Sequence, residues 1–193
     1  MSAKHGIPSG NENQNAHRRQ FRAPHSALVI IALGSNLGDS RKTILDAMAQ
    51  LQSFSDEPLL KSSLWQTSPV DCPPDSPKFL NAVIAFAPRS DETPESLLAK
   101  LQALETEFGR RPKQVLNEPR PLDLDLITFG RETRSSASLT LPHPRAHERR
   151  FVLQPLSEIA PDLVLPGQSQ TVAELLAGLR DVEICEKIQA TQA

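Results

Sequence analysis

Hydrophobic and polar positions along this chain fall into recognisable periods. Ala27-Leu-Val-Ile-Ile-Ala-Leu33 is apolar without a break, as expected of a central strand. It ends in the turn cluster Gly34-Ser35-Asn36-Leu37-Gly38-Asp39-Ser40. Ile44, Leu45, Met48 and Leu51 then recur at helical spacing and predict a helix to about Ser53. Lys61 to Thr67 and Phe79 to Phe86 read as strands, and the four prolines of "SPVDCPPDSP" between them exclude regular structure. Thr93-Pro94-Glu95 is a helix start, with Thr as cap, Pro in the first turn and an acid near the positive end of the dipole. That helix runs to Phe108 and stops at Gly109.

Beyond the loop Arg110 to Pro121 the period changes to two. Leu122, Leu124 and Leu126 share one face of a strand, and Asp123 and Asp125 share the other. Leu139 to Leu141 is a short strand followed by Pro142-His143-Pro144, and Thr171 caps a last helix, "TVAELLAGLR". No internal repeat is present. The order β-α-β-β-α-β implies an α+β fold, a ferredoxin-like two-layer sandwich with additional C-terminal elements.

Composition narrows the class. The chain has 193 residues, 38% hydrophobic and 23% charged, which suits a globular domain with a real core. No apolar run approaches a membrane span, so no membrane partner is expected. Two distant cysteines, Cys72 and Cys185, suggest neither a disulfide framework nor a zinc site, and a cytoplasmic location fits. Residues 1–26 carry Lys4, Arg18, Arg19 and Arg22 against Glu12, a charge of +3 that leaves −5 for the remainder. An acidic body argues against a nucleic-acid surface. The expectation is a disordered tail over 1–26, a single domain over 27–193, and a monomer.

The paired aspartates need an explanation, because two like charges roughly 6.6 Å apart on one strand face repel each other. They are either a solvated polar face or a site for hard divalent cations, which take oxygen ligands and share their shell with substrate phosphates. Eight of the fourteen arginines lie between Arg110 and Arg150. Arg110, Arg120, Arg145 and Arg149 flank the aspartate strand or the His143 turn, and arginine suits bidentate phosphate recognition. Acids and arginines together suggest a metal-bound polyphosphate. No GxxxxGK[ST] or GxGxxG loop is present, so side chains and metal would have to hold the phosphates. Glu105 falls on the apolar stripe of its helix with Gln102 one turn earlier; it is either a rim acid capped by an arginine or part of a polar ligand site.

Taken together, "ALGSNLGD", "TSPV", "FLNAV", "LE" ahead of "GR", "PRPLDLDLITFG" and "LPHPRAHERRFVLQPLSEIAP" resemble the 6-hydroxymethyl-7,8-dihydropterin pyrophosphokinase family of folate biosynthesis. The resemblance implies transfer of pyrophosphate from ATP to the pterin hydroxymethyl group, with release of AMP. It implies that Asp123 and Asp125 hold two Mg²⁺ ions, and that Arg110, Arg120, His143 and Arg149 contact phosphates, the first two in a catalytic role. Gln102, Glu105 and Thr140 would line the adenosine site. Thr67, Val70 and Asn81 would meet the pterin, with Phe79 and Phe151 as its apolar slot. The chain departs from many relatives in carrying Asn117 in place of an aromatic, Pro112 in place of a second arginine, Pro144 in place of a tyrosine, and no glycine between Asp71 and Pro77. A metal-dependent phosphohydrolase or nuclease, or a non-catalytic nucleotide-binding module, would use some of the same residues.

Overall fold

The structure is a computed structural model and describes residues 28–69, 72–112, 115, 118–180 and 184–189. β1 (Val29–Ser35) is the centre of an antiparallel sheet, paired with β4 (Phe79–Phe86) on one side and β5 (Asp123–Phe129) on the other. β2 (Leu60–Lys61) and β3 (Trp65–Thr67) both pair with β4, and β8 (Cys185–Lys187) adds an outer edge beside β3. The strand order β5-β1-β4-β3-β8 carries the ferredoxin-like arrangement.

Helices α1 (Ser40–Leu51) and α2 (Pro94–Glu107) cover one face of the sheet. Ile44, Met48, Leu97 and Leu101 from these helices pack with Val29, Ile31 and Leu33. The C-terminal additions α3 (Arg150–Ile159) and α4 (Val172–Gly178) cover the other face, where Val152, Leu156 and Val172 pack with Ile30, Ala32 and Val83. β1 is therefore buried on both faces, the physical reason its sequence is apolar without alternation.

Local chemistry sets the element ends. Thr93 accepts from Ser96 N–H and Thr171 from Glu174 N–H, each closing a capping box as those residue types allow. α1 is shorter than its periodicity suggested, giving way at Gln52 to a 3₁₀ turn ending at Phe54. The strand expected over Lys61 to Thr67 is broken into β2 and β3. At the break the Ser62 hydroxyl accepts the Val83 N–H at 2.9 Å and so replaces a backbone acceptor in the ladder. α3 was not anticipated because Pro155 lies inside it; the buried Val152, Leu153 and Leu156 on the same helix outweigh the missing N–H. A hairpin of β6 (Arg134–Ser135) and β7 (Thr140–Leu141) leads into the His143 turn. Among the described residues no helix is long and apolar enough to cross a membrane.

Candidate active site

Strand register builds the site. Gly34 of β1 lies between Asn81 of β4 and Asp123 of β5 in one row, and Ala32 lies between Val83 and Asp125 in the next. The middle strand contributes almost no side chain here, while both neighbours present polar groups. A Cβ on Gly34 would come within 3.2 Å of Asn81 Oδ1, tighter than ordinary contact. Small residues on β1 thus leave the floor of a cavity of about 570 Å³, within the roughly 300–1,000 Å³ of small-molecule sites.

On the β5 side, both oxygens of Asp123 accept from arginines. Arg110 Nη1 donates to Oδ1 at 2.7 Å, and Arg120 Nη1 donates to Oδ2 at 3.1 Å. Arg110 arrives there through the end of α2. Gly109 takes a φ of +91°, its N–H bonds the Thr106 carbonyl, and Arg110 N–H bonds the Glu105 carbonyl, which turns the chain back over the helix. The Arg110 guanidinium consequently also reaches Glu105, whose Oε1 accepts from Leu124 N–H at 2.7 Å. Glu105 is only 7% exposed, and burial pushes its carboxyl up to about 7. Its position on the apolar stripe is explained: it ties α2, Arg110 and the backbone between the two aspartates together.

Asp125 is partly buried; burial first and the neighbouring Asp123 second push it up to about 6, against the pull of Arg149, Arg120 and Arg110. Arg149 Nη1 stands 3.9 Å from Asp125 Oδ2. His143 reaches the cavity because its N–H bonds the Ile127 carbonyl on β5 at 2.9 Å. Burial, reinforced by Arg149 and Arg145, lowers its pKa to about 4. The ring is therefore neutral at pH 7. Its Nδ1 accepts from Arg145 N–H at 3.3 Å, so the proton sits on Nε2, where it can be donated.

The β4 side is neutral. Asn81 Nδ2 donates to Thr67 Oγ1 at 2.7 Å, and both residues are buried. That bond fixes which way the amide points and leaves Oδ1 over Gly34. Phe79 lies one strand period away, with the Arg120 guanidinium 5.9 Å from its ring centre; the Arg149 guanidinium is 5.3 Å from the Phe151 ring.

Of the residues expected to act, Gln102, Glu105, Arg110, Arg120, Asp123, Asp125, His143, Arg149, Thr67, Phe79, Asn81 and Phe151 all line this cavity. Thr140 does not; it is exposed on β7. Val70 and Asn117 lie outside the described residues. Gly34, Ser68, Cys72 and Glu148 line the cavity without having been singled out. Asn36, also overlooked, bonds to Arg120 and Pro77 through its side chain. The only signal for it was its place in "GSNLG", which reads equally well as a simple turn.

The donor set fits hard divalent cations. Two oxygen-bearing side chains share one strand face, and burial, with Asp123 second, disfavours the charged form of Asp125, a cost that a bound cation would relieve. Among the described residues no group of three or more His, Cys, Asp or Glu side chains could hold a metal alone. The pair therefore suits ions whose remaining ligands are substrate phosphates and water.

Residues 30–161 match the family model described as 7,8-dihydro-6-hydroxymethylpterin-pyrophosphokinase. The chain is 40% identical to "Folic acid synthesis protein fol1" of Pneumocystis carinii over 156 residues, 81% of this chain but 20% of that protein. It is 38% identical to the "2-amino-4-hydroxy-6-hydroxymethyldihydropteridine pyrophosphokinase" of Haemophilus influenzae over 151 residues, 78% of this chain and 92% of that protein. In shape it is similar to wild-type Plasmodium falciparum HPPK-DHPS with pteroate, at a TM-score of 0.60 and 13% identity, covering 78% of this chain and 42% of that one. Agreement at that identity speaks for the fold alone.

Proposed function

The chain belongs to the 7,8-dihydro-6-hydroxymethylpterin-pyrophosphokinase family, and we propose that it transfers the pyrophosphoryl group of ATP to 6-hydroxymethyl-7,8-dihydropterin. The pterin hydroxymethyl oxygen forms a bond to the β-phosphorus, and the bond from that phosphorus to the α,β-bridging oxygen breaks. AMP leaves with the bridging oxygen, and the hydroxyl proton passes to water. The observation that carries this reading is the division of one cavity into a charged half at Asp123 and Asp125 and a neutral amide–hydroxyl half at Asn81 and Thr67.

Asp123 and Asp125 would hold two Mg²⁺ ions, which when bound neutralise the triphosphate and favour departure of AMP. Arg110, Arg120 and Arg149 offer planar donors to β- and γ-phosphate oxygens. His143 donates from Nε2 as a neutral group and so adds a hydrogen bond without adding a charge that could repel the arginines. These groups act on charge that builds during transfer, and no covalent enzyme intermediate is needed. Gln102 lies on the adenosine side, and Glu105 serves it indirectly by holding Arg110.

On the other side, Asn81 keeps Oδ1 as an acceptor and its second amide hydrogen as a donor, which suits the mixed edge of a pterin. Phe79 and Phe151 supply the apolar walls. In the full reading, residues 27–193 form one catalytic domain working as a cytoplasmic monomer on small molecules, without nucleic acid or membrane. The acidic body supports the absence of a nucleic-acid partner, and the two scattered cysteines support a reducing compartment. Mass spectrometry of the products from ATP, Mg²⁺ and the hydroxymethyl-dihydropterin tests it. AMP with diphosphorylated pterin is expected; ADP with monophosphorylated pterin, or simple ATP hydrolysis, would overturn it.

A further inference from the structure

Asn36 has no part in the chemistry above, yet it joins the two halves of the cavity. It is 4% exposed and lies just past the end of β1. Its Oδ1 accepts the Arg120 N–H at 2.8 Å across 84 residues of sequence, and its own N–H donates to the Arg120 carbonyl at 3.2 Å. Its Nδ2 donates to the Pro77 carbonyl at 3.3 Å across 41 residues. Pro77 closes the Pro-rich loop two positions before Phe79, and Arg120 carries the guanidinium that meets Asp123 and lies over Phe79.

One amide therefore grips the backbone of a phosphate-side arginine with its oxygen and the pterin-side loop with its nitrogen. We propose that Asn36 is a positioning residue that locks the pterin-side loop to the backbone of Arg120, so that both substrates are held in register for transfer. The inference rests on the pyrophosphokinase reading, which supplies the two substrates. The chemistry is specific to an amide. Aspartate keeps the acceptor for Arg120 but turns an oxygen toward the Pro77 carbonyl, and alanine keeps neither contact. A residue that merely satisfied a buried turn would affect stability and leave the affinities alone.

The test is calorimetric titration of wild type, Asn36→Asp and Asn36→Ala with a non-hydrolysable ATP analogue plus Mg²⁺ and with 6-hydroxymethylpterin, beside melting temperatures. Asn36→Asp should weaken pterin binding roughly tenfold, as for one lost hydrogen bond, and leave analogue affinity within about threefold. Asn36→Ala should weaken both. If Asn36→Ala does not fold, the isosteric Asn36→Asp decides alone. Folded variants whose affinities match wild type, or an Asn36→Asp that loses both ligands equally, would overturn the inference while leaving the function intact. Wild type that binds neither ligand would overturn the pyrophosphokinase reading and this inference with it.

Discussion

The two halves of the cavity share strands and a floor but are built on different physics. On the β5 side, two aspartates face three arginines, and a neutral histidine stands among cations. On the β4 side, a buried amide and hydroxyl share one neutral hydrogen bond beside an aromatic ring. Gly34 is the seam between them. A charge-built half is strong only where water is excluded and charge is changing, so its groups should be felt most in turnover and in response to salt and Mg²⁺. A half built from shape and donor–acceptor order should be felt in the affinity of one ligand and be nearly indifferent to salt.

The largest effect should come from the charged half. Arg120→Ala removes a cation that the proposed function assigns to the phosphates, and a partner from Asp123. AMP release should fall by roughly 10²–10³-fold, the scale of losing one preorganised electrostatic group. Pterin affinity by calorimetry should change less than tenfold, even though the guanidinium lies over Phe79. Equal losses in turnover and pterin affinity would erase the distinction between the halves.

Gly34→Ala probes the seam. The new Cβ meets Asn81 Oδ1 at 3.2 Å, whereas on the other side it meets Asp123 Cβ at an ordinary 3.8 Å. Pterin affinity should drop roughly ten- to hundredfold by overpacking, with the ATP-analogue affinity nearly unchanged. A drop confined to the nucleotide would reverse the assignment of sides. Asn81→Ala should cost pterin binding about tenfold at low and high salt alike. A salt-dependent loss would mean that the neutral half is not electrostatically separate.

How much of this was legible in the sequence depends on how local the cause is. The Thr93 and Thr171 caps act over three residues, and both helices begin where those residues sit. The Asp123–Asp125 alternation needs only the strand period. Glu105 was visible as a misfit on its stripe, but its Leu124 N–H partner is 19 residues away and appears only when α2 docks on β5. Asn36 was hidden for the same reason, its partners being 84 and 41 residues distant. α3 was masked by Pro155, where packing of an apolar face overrode a local rule. The ladder break at Ser62 depends on a hydroxyl finding Val83, which periodicity does not encode.

A smaller, pH-linked effect separates His143 from its charged neighbours. Its pKa of about 4 in the fold lies below its unfolded value of about 6.5, so the fold favours the neutral ring. The stability this gives is complete above about pH 6.5 and is lost as the pH falls through about 4. Melting curves of wild type should therefore drop relative to His143→Gln across that window. Parallel curves would show that the ring titrates in the fold as it does in the unfolded chain and that the fold does not favour its neutral form. The smallest effect should follow deletion of residues 1–26, which should leave melting temperature and turnover unchanged; a large loss in either would join the tail to the site.

The most direct test of the account is the Mg²⁺ dependence of AMP release for wild type, Asp123→Asn and Asp125→Asn, alongside their melting temperatures. Each substitution keeps the size of the side chain and removes one anionic oxygen ligand. Both variants should fold, with turnover lower by about 10²-fold or more and a Mg²⁺ requirement shifted upward. Folded variants with full activity and an unchanged Mg²⁺ dependence would contradict the account.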